Sequence, residues 1–242
     1  MKILAYIPLH YGKEYLSEAI KSVHDHVEKI IILYSSNPSF GHTTNLNCPD
    51  NKDEMKIQAM NTSHKIEWID VKAGNEGDHR NIIFQYCNDY DLILPLDADE
   101  VWEREDLSRC LLQAYNSPER NFGILGFVNF FRSFNIICID QFTPVRIIKP
   151  SGIANTMKIL KGTIYHFGYA QRDEVLKYKW SIHGHKNELR SGWLEEKYFG
   201  FKPGVIDLHP VANGIWNPIP FDKNTLPENL KLHPNFHKEV IS

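Results

Sequence analysis

Four short apolar runs, separated by segments of helical or loop character, constrain this chain more than any other feature. They are residues 2–9 (KILAYIPL), 29–34 (KIIILY), 66–71 (IEWIDV) and 92–96 (LILPL). The first, second and fourth stay apolar without alternating, which suits strands buried on both faces; the third, with Glu67 and Asp70, is a strand candidate. Residues 14–27 place Tyr15, Leu16, Ala19, Ile20, Val23 and Val27 at helical spacing. The spacing predicts a further helix from Asp78 to about Asn88, burying Ile82, Ile83, Tyr86 and Cys87. Strand and helix thus alternate, which predicts an α/β fold: a mostly parallel sheet with helices on both faces. Such sheets bind ligands beyond the carboxyl ends of their strands. The fourth run ends in Asp97-Ala98-Asp99-Glu100.

The second half changes character. Residues 106–115 read as a helix. Residues 123–134 and 136–148 read as strands, being rich in aromatic and β-branched side chains. From His166 onward loop and helix mix, with many basic and aromatic residues. From Pro203 the tail carries Pro210, Pro218, Pro220, Pro227 and Pro234, which predicts an extended segment packed over the surface. A length of 242 residues suits one domain. It divides into a ligand-binding half (1–116), a second half of strands and loops (117–202) and the tail (203–242).

Some function classes are excluded. With 42% hydrophobic and 24% charged residues the chain is not wholly disordered, and a net charge of -3 gives no global pull toward nucleic acid. The opening apolar run is too short for a signal-peptide core or a membrane span. Cys48, Cys87, Cys110 and Cys138 form no Cys-x-x-Cys pair. Scattered thiols without a secretion signal predict a cytoplasmic protein. No Gly-x-Gly-x-x-Gly turn follows the first strand, and there is no Walker loop or Gly-x-Ser-x-Gly elbow.

The acidic turn carries the strongest chemical signal. At an extended strand end, residues two apart share a face, so Asp97 and Asp99 are expected to converge. Convergent carboxylates repel unless a cation lies between them. A hard divalent ion bridging to phosphate oxygens meets that need. The competing reading is a solvated acidic turn.

The opening strand at 3–9 (ILAYIPL), the helix start at 78–81 (DHRN) and the run at 93–100 (ILPLDADE) together resemble glycosyltransferases of the GT-A fold, family-2-like, which use nucleotide-diphosphate sugars. The resemblance covers residues 1–116 and, loosely, 166–186. It implies that Asp97 lies near ribose and metal and that Asp99 binds the metal, Mn²⁺ or Mg²⁺. Pro8, Leu9 and Tyr11 would lie by the base or ribose, with Ala98 between the two carboxylates, and Arg80 near phosphate or sugar. Relatives often carry an acidic base-reading residue after the second strand. Here that place is Ser35-Ser36-Asn37, and Asp70 is the substitute reader.

The resemblance also implies a histidine as a further metal ligand, for which His166 is the candidate; the alternative is a core or capping histidine. His185, in His183-Gly184-His185, is a candidate phosphate or acceptor contact. Lys179, in a stretch with Tyr178, Trp180 and Trp193, would hold the diphosphate; the alternative is an amphipathic helix with its aromatics in the core. An inverting transfer needs a base on the acceptor hydroxyl. Asp173, Glu174 and Asp140 are candidates, against a reading as surface or helix N-terminal charges.

The activity expected is a metal-dependent transfer from a nucleotide sugar, UDP-sugar favoured, to a hydroxyl acceptor. The acceptor is a glycan, a lipid-linked sugar, a small molecule or a hydroxymethylated base in phage DNA. A nucleotidyltransferase is an alternative. It ranks lower because the loop after the first strand, Leu9-His10-Tyr11-Gly12-Lys13, has one glycine rather than a glycine-rich phosphate cradle. A non-catalytic nucleotide-sugar-binding module is the other alternative.

Overall fold

The structure, a computed structural model, describes residues 1–38, 44–140, 142–183, 186–202, 204–211 and 214–242. The first half runs β1 (Ile3–Leu9), α1 (Leu16–His24), β2 (Lys29–Ser35), α2 (Lys52–Thr62), β3 (Ile66–Val71), α3 (Glu76–Asn81) and β4 (Leu92–Pro95). A three-residue strand β5 (Glu100–Trp102) and helix α4 (Arg104–Tyr115) complete it. All four apolar runs are strands. They lie parallel in the order β3-β2-β1-β4. Ile3, Ala5, Ile7 and Leu9 pack with side chains of α1, α2 and α4 on one face. Leu4 and Tyr6 pack on the other, with Ile83 and Cys87. This is the α/β arrangement expected from the alternation.

Beyond β4 the sheet turns antiparallel. The later strands are β6 (Glu119–Phe131), β7 (Ile136–Ile139), β8 (Val145–Ile148) and β9 (Ile153–Tyr169), then α5 (Asp173–Ile182), β10 (Pro218–Pro220) and α6 (Glu228–Lys231). β8 pairs antiparallel with β4 and β6, β7 with β6, and β10 with β7. β9 runs parallel to β6 and antiparallel to β5. One sheet therefore crosses both halves of the chain.

Four local readings change. The helix expected over 78–88 is α3, which begins at Glu76 because the Asn75 side chain accepts from the backbone of Asp78 at 2.9 Å. It passes into a 3-10 turn over Ile82–Gln85. Asp97 and Asp99 do not share an extended strand; they lie in the turn joining β4 to β5, closed by Glu100 N–H donating to the Asp97 carbonyl at 3.1 Å. His166 lies inside a 17-residue strand, β9, rather than at the start of mixed loop and helix. The tail is only partly superficial. Its Leu226, Leu230, Phe236 and Ile241 are buried with Tyr15, Phe130, Phe134 and Phe167.

These changes position the site. Pairing β5 with β9 sets Glu100 opposite His166, and Phe167 N–H donates to the Asp99 carbonyl at 2.8 Å. The loop after β1 approaches the same turn from the other side. Gly12 has φ +129°, and a Cβ there would meet the Ala98 Cβ at 2.8 Å, so only glycine fits this approach. The Asp50 carboxylate holds the loop by accepting from Gly12 N–H (2.7 Å) and Lys13 N–H (2.9 Å).

Candidate functional site

A cavity of about 450 Å³ opens at the carboxyl ends of the parallel strands. Of the residues singled out from sequence, Pro8, Tyr11, Arg80, Asp97, Ala98, Asp99, His166 and Lys179 line it. His10, Gly12, Glu76, His79, Phe142, Gln171, Ile182 and His183 complete the wall.

α3 supplies one side of the cavity. Glu76, His79 and Arg80 stand one helical turn apart and so share a face. Arg80 Nε donates to Glu76 at 3.0 Å, and its Nη2 lies 2.9 Å from Asp97 Oδ1. The other oxygen of Asp97 lies 2.9 Å from Nη2 of Arg146 on β8. Arg146 also grips Glu100 through two contacts, of 2.6 and 2.5 Å. Burial alone would raise the Asp97 carboxyl; the Arg80 and Arg146 guanidiniums outweigh it and hold the group well below the usual range. Glu100 is fully buried, and burial raises it against the pull of Arg146. The two carboxylates of the Asp-x-Asp turn thus line one cavity with different partners. Asp97 is committed to guanidiniums.

Asp99 is differently placed. Its Oδ2 accepts from Gln171 Nε2 at 3.0 Å and lies 3.9 Å from His166 Nε2. His166 Nδ1 lies 2.6 Å from Asn129 Oδ1. An amide oxygen only accepts, so the proton sits on Nδ1 and Nε2 keeps its lone pair. Burial lowers the imidazole to about 4 against the attraction of Asp99, so the ring is neutral near pH 7. Two electron-pair donors therefore face each other with no proton between them. Among the described residues no group of three or more His, Cys, Asp and Glu converges as a metal cage.

Lys179 brings positive charge from α5, its Nζ donating to the Gly168 carbonyl at 3.2 Å and lying over the Tyr169 ring. At the β2 side of the cavity, His10 Nδ1 donates to the Ser35 carbonyl at 2.8 Å. Its Nε2 accepts from the Tyr178 hydroxyl at 2.7 Å. His79 Nε2 donates to the Leu33 carbonyl at 2.7 Å. Burial lowers both imidazoles.

Other expected residues stand elsewhere. Leu9 alternates away from Pro8 into the core. Ser35 is buried, its hydroxyl bonded to the Asn37 carbonyl at 3.3 Å. Asp70 is exposed and paired with Lys52 at 2.8 Å. Asp173 and Glu174 form the first turn of α5, paired with Arg132 and Arg172. Asp140 accepts from the Trp216 indole at 3.1 Å. None of these six lines the cavity, and His185 lies outside the described residues. For Asp173 and Glu174 the geometry agrees with the helix N-terminal reading. Trp193 is buried and stacked on Trp180, as the core reading of that stretch expects.

Sequence reasoning passed over Arg146, Asn129, Gln171 and His79. His79 lay within the DHRN stretch. The other three carry no spacing signal: Arg146 on β8 and Asn129 on β6 come in through strand pairing, and Gln171 lies just past the end of β9.

No known family profile and no curated protein matches the chain. Solved structures with a similar trace include residues 1–349 of TarS from S. aureus, at 13% identity and TM-score 0.46, covering 75% of this chain and 64% of that one. The same protein in complex with UDP-GlcNAc aligns at 13% identity and TM-score 0.46, over 68% of this chain and 58% of that one. The inositol-1-phosphate CTP transferase from T. maritima aligns at 10% identity and TM-score 0.41, over 76% and 97%. This chain spans less than two thirds of the TarS length. No helix among the described residues is long and apolar enough to cross a membrane.

Proposed function

We propose that this chain is a glycosyltransferase that moves a sugar from a nucleoside diphosphate, a UDP-sugar in the first instance, to a hydroxyl acceptor. The observation that carries this reading is the pairing of Asp99 and neutral His166 at 3.9 Å beside the cationic side chains of Arg80 and Lys179. A lone-pair nitrogen and a carboxylate oxygen suit Mn²⁺ or Mg²⁺. Guanidinium and ammonium groups suit phosphate oxygens. A metal-bound diphosphate needs both together.

Asp99 and His166 would hold the ion. When bound, it would supply positive charge against the departing nucleoside diphosphate. Arg80 would contact phosphate oxygens, kept in place by Glu76 and Asp97. Asp97 serves this reading as the anchor of Arg80 rather than as an open ligand. In the transfer, the acceptor oxygen bonds to the anomeric carbon, the bond from that carbon to the phosphate oxygen breaks, and its electron pair leaves on the diphosphate. The acceptor proton passes to a base.

The test is binding before turnover. Thermal unfolding with UDP at millimolar concentration, with and without Mn²⁺, should show a Mn²⁺-dependent rise of the midpoint. The rise should vanish in Asp99→Asn. Release of UDP from UDP-sugars on adding an acceptor panel then identifies transfer. No shift with any nucleoside diphosphate would overturn the reading.

A further inference from the structure

Two histidines stand at the β2 side of the cavity. His10 bonds to the Ser35 carbonyl and His79 to the Leu33 carbonyl, both on β2. The acidic turn follows β4. The strand order places β1 between β2 and β4, so these ends lie two strand spacings apart, about 10 Å. That separation suits a diphosphate at one end and a nucleobase at the other.

The groups at the β2 end differ in what they can still accept. Both ring nitrogens of His10 are used, one by Ser35 and one by Tyr178. The Ser35 hydroxyl is spent within its own turn, donating to the Asn37 carbonyl and accepting from Asn37 N–H at 3.2 Å. His79 is only 9% exposed, yet it lines the cavity. Its Nε2 faces the Leu33 carbonyl, which only accepts, so Nε2 carries the proton. Nδ1 is then an acceptor, and it has no partner among the described residues. Nδ1 is not among the fully buried polar atoms left without a partner, so it opens to the cavity, where a ligand N–H can take the place of water.

We infer that His79 reads the base of the donor nucleotide, its Nδ1 accepting the ring N–H of uracil or guanine and so selecting against cytosine and adenine. This rests on the nucleotide-sugar reading above. Uracil N3 and guanine N1 carry a hydrogen, whereas cytosine N3 and adenine N1 are acceptors and would set lone pair against lone pair. Leu33 holds the imidazole in the tautomer this requires.

The experiment is calorimetric titration with UDP, GDP, CDP and ADP in the presence of Mn²⁺. It is repeated with UDP methylated at N3 and GDP methylated at N1. The tighter of UDP and GDP should bind at least tenfold better than CDP and ADP, the scale of one net hydrogen bond. Its methylated form should lose that advantage. In His79→Ala and His79→Phe, checked for folding by circular dichroism, the preference over CDP should fall to near one. Equal binding of all four diphosphates by the unaltered protein, or tightest binding by CDP or ADP, overturns the role of His79 while leaving the nucleotide reading intact. A preference that survives in both folded variants does the same. Absence of binding by every diphosphate overturns both.

Discussion

Nε2 of His166 lies 3.9 Å from Oδ2 of Asp99, and the hydrogen bond from His166 Nδ1 to Asn129 leaves that nitrogen with nothing to donate. The turn just before β5 brings the carboxylate and β9 the imidazole. The tautomer, however, is set from β6, where Asn129 stands buried opposite His166.

On the proposed metal-binding role of Asp99 and His166, Asn129 should control metal affinity without touching the metal. Partners that orient a ligating imidazole typically contribute 10- to 100-fold. Asn129→Leu is expected to raise the Mn²⁺ concentration that half-saturates metal-dependent UDP binding by about that factor. Metal-free UDP binding should stay within about twofold. Asn129→Asp, which keeps the acceptor, should retain most of the Mn²⁺ response.

Arg146 is the second control point, for stability rather than affinity. It is the partner of two carboxylates, one of them fully buried. Removing one member of a buried ion network costs about 3–5 kcal/mol, because the charges left behind are uncompensated. Arg146→Met should lower unfolding free energy by about that amount in urea. Arg146→Met with Glu100→Gln should recover part of the loss, since the second change removes one stranded carboxylate. Equal losses in the single and double variants would contradict the network.

His233 makes a prediction about pH. Its Nε2 donates to the Glu14 carbonyl at 3.0 Å, and Nδ1 accepts from Asn235 N–H at 3.1 Å. Protonating Nδ1 would break the second bond. Burial lowers this imidazole from 6.5, against the Glu14 bond. Between 6.5 and the lower folded value, the unfolded chain takes up a proton that the folded chain refuses. The contribution is thus complete above that window and is lost as pH falls through it. The slope is at most about 1.4 kcal/mol per pH unit. Urea unfolding at pH 7.5 and 5.5 should show a larger acid loss in the unaltered protein than in His233→Gln. The raised carboxyl of Glu18 pulls the other way in both proteins.

What the sequence disclosed follows from how each element is buried. β1, β2 and β4 are mostly buried on both faces, so their runs are continuous and easily read. α2 was hidden because only Met55 and Ala59 are buried, leaving no apolar stripe. β9 was hidden for two reasons. Its first half is exposed, with Ile153 60% and Ile159 54% accessible, and register shifts at its contacts with β6 break the two-residue alternation. The acidic turn stood out in the sequence, but its geometry did not. The partners that decide it, Arg146 and Gln171, lie 49 and 72 residues away from Asp97 and Asp99. Only the antiparallel return of β8 and β9 brings them in.

The tail is the remaining case, and it is testable. Prolines from Pro210 onward suggested a surface strap, but prolines say nothing of the apolar residues between them. Leu230 is wholly inaccessible and packs within the cluster that contains Tyr15, Phe130 and Phe167. Ile241 is equally buried, and its N–H donates to the Arg132 carbonyl at 2.6 Å. Burying each such side chain contributes about 1.5–3 kcal/mol. Four of them approach the whole stability of an ordinary domain. Leu230→Ala should cost about 2–5 kcal/mol in urea unfolding. Deleting residues 221–242 should give a chain that binds hydrophobic dye and lacks a cooperative transition. Tyr15 stacks on Phe167, the residue next to His166, at 4.4 Å between ring centroids. Loss of the tail should therefore abolish Mn²⁺-dependent nucleotide binding as well, although no tail residue among the described ones lines the cavity. A truncated chain that melts cooperatively at the midpoint of the intact one would return the tail to the surface.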